Sequence, residues 1–334
     1  MSRHRAIVLF VSVVMLGHVQ PAFARKQYMD AFKAKYPKVV AAEKVTCAMC
    51  HPARSKKVRN EFGKDLAKLV AKKEKDKDAI AAAFDKLAEQ KSPIEGKSYG
   101  DLLNAGMMPD GFVSIFDGKT LDGWDGNTKL WTVEDKAITG TTSDENPIPA
   151  NTFIIWRKGK VANFEMTFQY KIIKGNSGVQ YRSFEMPETK WKVGGYQADF
   201  EAGKTYSGIL YGEQFRGPLA LRGEKTELVR KGDKFEKKVV GSVGNSAEIQ
   251  AKIKNEDWND YHISAKGFRF IHKINGVVTC DCTDNDEKMR RKDGILAFQV
   301  HKGPAMKVQF RNIRLKVLPD TPAKKDAAKK DAAE

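Results

Sequence analysis

Two rhythms of apolar residues divide the chain. Between Lys26 and Met108 they recur at helical spacing. Tyr28, Phe32 and Tyr36 fall at i, i+4 and i+8, and Phe62, Leu66, Leu69 and Val70 make a second stripe. Ile80, Phe84 and Leu87 make a third, opened by the charged Lys72–Asp78 stretch, and Tyr99 to Ala105 suits a short fourth helix. This predicts a small all-α unit. Past Pro109-Asp110-Gly111 the period becomes two. Phe164, Met166, Phe168 and Tyr170 alternate with polar residues, as do Val179 and Tyr181, and later Leu296, Phe298 and Val300. Gly-rich turns separate these runs, Asn275-Gly276 being the strongest hairpin signal. Many short strands over about two hundred residues predict a β-sandwich or jelly roll.

The two ends add processing and solvation. Arg3 and Arg5 precede an apolar run from Ala6 to Val19, and Ala22-Phe23-Ala24 supplies small residues for cleavage. Residues 1–24 are therefore expected to be a signal peptide, residues 25–109 the helical domain, residues 110–319 the β domain, and residues 320–334 a Lys/Ala/Asp-rich disordered tail. Cleavage near Ala24 predicts a periplasmic or secreted protein. No second apolar run is long enough to span a bilayer, so no integral membrane protein is expected. The 334 residues contain 59 Lys+Arg and 42 Asp+Glu, a net charge of +17 that drops by two with the leader. The basic residues are scattered among acidic ones, which argues against nucleic acid and suits an anionic surface or acidic redox partner. Four cysteines are too few for a disulfide scaffold.

Two of those cysteines carry chemistry. Cys47-Ala48-Met49-Cys50-His51 is a C-x-x-C-H motif, the attachment signature for haem c. Two thiols bind one porphyrin covalently while the adjacent imidazole of His51 takes the iron from the proximal side. His51 is the only histidine between residues 25 and 261, so a methionine is the better distal ligand. The unit resembles a class of small cytochromes c in which a Met before a Pro closes the distal side; Met108 is favoured over Met107. Cys280 and Cys282, on one strand face, are expected to remain thiols.

The β domain resembles the 3-keto-disaccharide hydrolase family. The ordered matches begin at Gly111-Phe112-Val113-Ser114-Ile115-Phe116-Asp117-Gly118 and continue through Gly175-Asn176-Ser177-Gly178-Val179-Gln180-Tyr181-Arg182. Gly195-Tyr196-Gln197-Ala198-Asp199, Ser207-Gly208-Ile209-Leu210-Tyr211-Gly212 and Phe298-Gln299-Val300-His301 follow, and Phe310-Arg311-Asn312-Ile313 closes the series. The resemblance spans about Phe112 to Leu318 and implies a concanavalin-like jelly roll whose concave face receives a sugar. The expected fold class is thus multidomain: a small all-α cytochrome c-like domain followed by an all-β sandwich. It also implies glycoside hydrolase-like activity on sugars whose glucose carries a ketone at C3. The family commonly has an acid between the Tyr and the Gln-x-Asp of its central strand; Tyr196-Gln197 here lacks it.

Alternation alone assembles a site. If Val179, Tyr181, Leu296, Phe298 and Val300 face the core, then Gln180, Arg182, Gln299 and His301 face outward, with Gln197 and Asp199 sharing a face nearby. Amides, a guanidinium and a carboxylate suit sugar hydroxyls. A C3 ketone acidifies the proton at C2, and its removal allows the C1 oxygen to be expelled. The expected catalytic roles are His301 as base, Arg182 as enolate stabiliser and Asp199 as acid or as orienter of His301. Gln180, Gln197, Gln299, Asn176 and Tyr211 are expected to bind substrate. Hydrolysis by two carboxylates ranks second, because Asp199 has no evident partner carboxylate. Trp124, Trp131 and Trp258 read as core, and Trp191 and Phe215 as cleft-lining. His262 and His272 read as ordinary strand residues. The leading expectation is an exported haem-containing enzyme that cleaves oxidised disaccharides beside a redox partner or sugar dehydrogenase. The alternative is a non-catalytic carbohydrate-binding module tethered to an electron-transfer cytochrome.

Overall fold

The computed structural model describes residues 23–42, 45–46, 49–51, 59–71, 74–145 and 147–319. Most of the expected signal peptide, the Lys/Ala/Asp-rich tail and Cys47 lie outside them. The apolar stripes of the first hundred residues form helices α1 (Phe23–Lys35), α2 (Pro37–Ala42), α3 (Glu61–Leu69), α4 (Lys77–Ala88) and α5 (Tyr99–Asn104). Asn60, Asp76 and Ser98 cap α3, α4 and α5 by accepting hydrogen bonds from first-turn amides. Phe32, Tyr36, Phe62, Leu66, Ile80, Phe84 and Leu87 close into one buried cluster, as their spacing predicts.

The strands begin with β1 (Val113–Ser114), β2 (Trp124–Asp125), β3 (Trp131–Glu134), β4 (Ala137–Thr141), β5 (Thr152–Val161) and β6 (Phe164–Ile173). They continue with β7 (Asn176–Glu185), β8 (Val193–Glu201), β9 (Leu210–Glu213), β10 (Gly217–Ala220), β11 (Glu224–Lys231) and β12 (Lys234–Ser242). After the short helix α6 (Ser246–Gln250) come β13 (Asn259–Lys266), β14 (Arg269–Ile274), β15 (Val277–Asp284), β16 (Gly294–Val300) and β17 (Lys307–Val317). They form two sheets. A ten-stranded sheet runs β12-β11-β15-β14-β13-β6-β17-β4-β3, with β1 paired to β17; a seven-stranded sheet runs β10-β9-β8-β7-β16-β5-β2. Pairing is antiparallel except between β11 and β15.

Alternation sets the core. Phe164, Met166, Phe168, Tyr170 and Ile172 of β6 point inward, opposite Val179, Tyr181, Leu296, Phe298 and Val300 of the seven-stranded sheet. Phe298 stacks on Phe310 across the sheets at 4.1 Å. Trp124 and Trp131 are core residues as expected. Trp258 is not. It lies outside that core with the Arg311 guanidinium 3.7 Å from its ring centroid. Phe215, partly buried, packs against the core. Asn275 and Gly276 both take positive φ in the β14–β15 hairpin.

Candidate functional site on the outer face of the seven-stranded sheet

Strands β16, β7, β8 and β9 lie side by side, so their outward residues form one surface. Gln180 stands opposite Gln197, Gln197 opposite Tyr211, and Gly178 opposite Asp199. The side chains join in a chain of hydrogen bonds. Ser183 donates to Gln180 Oε1 at 2.6 Å, and Gln180 Nε2 donates to Gln197 Oε1 at 2.6 Å. Gln197 Nε2 donates to Asp199 Oδ1 at 2.5 Å and reaches Gln299 Oε1 at 3.4 Å. Asn176 adds a side-chain hydrogen bond to Asp199. A Cβ on Gly178 would lie 2.5 Å from Gln197 Cγ, so glycine there leaves Gln197 room to lie along the sheet. Thus Gln180, Gln197, Asp199, Gln299, Asn176 and Tyr211 do share a face.

The network is buried, which changes its chemistry. Gln180 and Gln299 are fully buried and Asp199 is 5% exposed. Burial holds the Asp199 carboxyl well above its ordinary pKa; its amide partners only partly offset this, and the Glu213 and Glu201 charges push it further up. Gln299 Nε2 is buried without a hydrogen-bond partner. A buried amide donor of this kind is available to a ligand oxygen.

Arg182 is a correction. β7 carries an extra residue between Gln180 and Ser183 relative to β16, and Arg182 adopts φ +46°. This bulge turns the Arg182 side chain inward, over the Phe270 ring. Its guanidinium donates to the Ala162, Gly267 and Arg291 carbonyls and to Asn163 Oδ1. It has no part in the outer-face network. Ser183 takes the outward position instead. A Cβ on Gly195 or Gly294, in the flanking strands, would come within 2.4 Å of the bulged residues.

Glu213 is the residue that alternation missed. With Leu210 in the core, Tyr211 and Glu213 of β9 both point outward, and Glu213 is 6% exposed. Asn151 Nδ2 donates to Glu213 Oε1 at 3.1 Å, while Asn151 Oδ1 accepts from the Lys302 amide at 3.0 Å. Asp199 therefore has a second carboxylate nearby, contrary to the sequence reading. The signal was available: Glu213 lies two residues beyond Tyr211.

His301 follows the end of β16, half-buried, with Nδ1 2.5 Å from the Lys302 carbonyl oxygen. Asp199 is bonded to Gln197 and Asn176, so it does not orient His301. His262 meets Glu165 at 3.2 Å on the ten-stranded sheet. His272 lies in the core beside the Tyr181 and Tyr261 hydroxyls; burial lowers its pKa to about 3 and keeps it neutral. Cys280 and Cys282 are buried thiols whose pKa values burial raises.

Beside the polar residues the outer face is apolar. Phe153, Ile155, Val193 and Ala297 cluster there against Trp191. Trp191 Nε1 donates to Asp125 Oδ1 at 2.8 Å, and the Trp191 carbonyl accepts from the Phe153 amide at 3.0 Å. A fully buried apolar cluster thus lies beside the polar network on this face.

In the helical unit, Cys50 packs against the buried cluster that includes Met49 and Met108, whereas Met107 is outside it. Asn60 Nδ2 donates to the Met49 carbonyl at 2.7 Å and the Asn60 amide to the Cys50 carbonyl at 3.0 Å. Met49 and Cys50 are thereby tied to the residue that caps α3. The Cys50 thiol, a group that could attach a porphyrin, and the Met108 thioether, a group that could ligate its iron, thus meet at one apolar cluster. Among the described residues no group of three or more His, Cys, Asp or Glu is placed to hold a metal ion, and no helix is long and apolar enough to cross a membrane.

The model of the 3-keto-alpha-glucoside-1,2-lyase-like domain family matches residues 111–316, well over half of the chain. The chain belongs to this family. A Bacteroides thetaiotaomicron protein named 3-keto-disaccharide hydrolase is 36% identical over 94 residues, a match covering 26% of this chain and 32% of that protein. A solved structure from Parabacteroides distasonis, provisionally described as a glycosyl hydrolase, has 20% identity and a TM-score of 0.41, covering 63% of this chain and 95% of its own. The carbohydrate-binding module CBM66 of Bacillus subtilis has 16% identity and a TM-score of 0.37, covering 57% and 94% respectively.

Proposed function

We propose that the β region cleaves glycosides whose glucose unit carries a ketone at C3, by elimination across C1 and C2. The observation that carries this reading is a buried carboxyl, Asp199, joined through Gln197 to Gln299, whose amide nitrogen lacks a partner. His301, at the end of β16, takes the proton from C2. The electron pair of that bond forms the enolate and then expels the C1 oxygen. Gln299 Nε2 donates to the developing C3 oxyanion, the task that Arg182 is turned away from. Asp199, protonated in its buried setting, gives its proton to the leaving oxygen. Water then adds at C1, C2 regains a proton and the ketone returns. Gln180, Gln197 and Asn176 hold sugar hydroxyls, and Tyr211 stands at the edge of the site.

Glu213 supports a second route, direct hydrolysis between two carboxylates. Turnover of a 3-keto disaccharide in D2O separates the two. Elimination puts deuterium at C2 of the product; hydrolysis by a carboxylate pair leaves that position protonated. Cleavage of the unoxidised sugar at the same rate would remove the ketone from the mechanism. Binding without cleavage of either sugar would leave a carbohydrate-binding module.

The helical unit is proposed to carry haem c, attached through Cys47 and Cys50, with His51 as proximal ligand and Met108 rather than Met107 as distal ligand. The shared cluster of Cys50 and Met108 supports that choice. Bound haem supplies one-electron exchange with a redox partner or sugar dehydrogenase outside the cytoplasm, where the leader would deliver the chain. Protein matured with haem should keep its colour in denaturant and lose it in Cys47→Ala; a colourless chain defeats the assignment.

A further inference from the structure

A cleft of about 870 Å³ opens between residues 201–204, which begin at the last residue of β8, and residues 246–256, which hold α6. Tyr170 and Ile172 of β6 form part of its wall. Tyr170 is fully buried with its ring 3.9 Å from that of Phe200, yet its hydroxyl has no hydrogen-bond partner. Gln250, also on the wall, has a buried Oε1 equally without a partner. Buried polar groups are nearly always satisfied in native proteins. Two unsatisfied ones on one cleft mark the place of a molecule that completes them.

We infer that this cleft is a second ligand site, apart from the Asp199 face, for a neutral polyhydroxylated molecule: a saccharide that needs no ketone. The donor set selects that class. Gln250 Oε1 requires a donor, and the Tyr170 hydroxyl can give or accept a hydrogen bond; a sugar hydroxyl does both. Burial raises the Tyr170 pKa, so its proton remains available. The charged lining is mixed and largely committed. Arg222 spends its donors on the Lys204, Thr205, Ser207 and Ser246 carbonyls. Lys254 donates to the Trp258 carbonyl at 3.2 Å. Glu201 Oε1 accepts from the Thr205 and Tyr206 amides. With Lys204 and Glu256 counted, three cations face two carboxylates, so no strong excess of either charge selects an ion. Glu201 also stands opposite Asn176, so the cleft adjoins the outer-face site without sharing its network.

The inference does not depend on keto-sugar cleavage, and its test is a binding measurement on the full chain. Cellotetraose and maltotetraose, both unoxidised, would be titrated by calorimetry at millimolar concentration, with hydrogen exchange followed in the wild type. At least one sugar should bind and slow exchange in residues 201–206 and 246–256. Tyr170→Phe and Gln250→Leu should each weaken binding by about fivefold to tenfold, the scale of one lost hydrogen bond, and Asp199→Asn should not. Protection confined to β7, β8 and β16, wild-type affinity in both cleft variants, or no binding of either sugar overturns the inference. Cleft protection with no keto-sugar turnover would uphold it and defeat the proposed activity, so the two fail separately.

Discussion

Two buried aspartates, on opposite sides of the seven-stranded sheet, are treated in opposite ways. Asp284, fully buried on the inward side, receives the Arg216 guanidinium and the Tyr196 hydroxyl, and Asp286 beside it is paired with Arg230 at 2.7 Å. Asp199, on the outward side, receives only amides and feels two further carboxylates. The first arrangement supplies each buried anion with a cation and fixes structure. The second supplies none, so burial biases the carboxyl toward its protonated form in a site lined by amides. A cation makes a buried acid inert; its absence makes the acid a proton donor.

Exchanging each acid for its amide tests this contrast. Asp199→Asn should lower keto-sugar turnover by about 10²–10⁴-fold, the usual yield of general acid–base catalysis, while the urea midpoint holds or rises. Steady-state kinetics beside a denaturation curve gives both numbers, and retained turnover would move the acid elsewhere. Asp284→Asn should do the reverse. It leaves the buried Arg216 guanidinium with Asp286 alone, 3.6 Å away, and should cost up to about 3–5 kcal/mol of stability, read from the shift in urea midpoint; an unchanged midpoint would mean that the pair is not structural.

The smallest effect concerns pH. Folding raises the Asp199 pKa above the unfolded value of about 3.9. Protonated Asp199 therefore favours the folded state. That contribution is complete below the unfolded pKa and is lost as pH rises through the folded one, by at most about 1.4 kcal/mol per pH unit. Wild type should lose stability relative to Asp199→Asn as pH climbs from about 4. Parallel stability curves for the two proteins would show that Asp199 ionises normally.

Much of this was legible in the sequence, because period and position carry through when each strand residue is matched by one on its neighbour. Gln180, Gln197, Asp199 and Gln299 lie together as their alternation with Val179, Tyr181, Ala198 and Phe298 requires. Arg182 failed for a local reason: a bulge adds one residue, and parity beyond it reverses. The glycines that make room, Gly195 and Gly294, are visible in the sequence, but only pairing shows that they flank the same spot. Glu213 escaped because β9 is four residues long, so the two-residue spacing from Tyr211 was its one cue. Trp258 failed differently, since an indole covered by Arg311 is sheltered without entering the core.

The bulge in β7 also decides which charges a sugar meets. Parity alone would set a guanidinium beside Gln180; the inserted residue sets the Ser183 hydroxyl there and sends the cation to the carbonyls at the other side of the sheet. The guanidinium is thus kept off the wall that faces the substrate, and a strand one residue shorter would bring a cation toward the carboxyl whose protonated form burial favours.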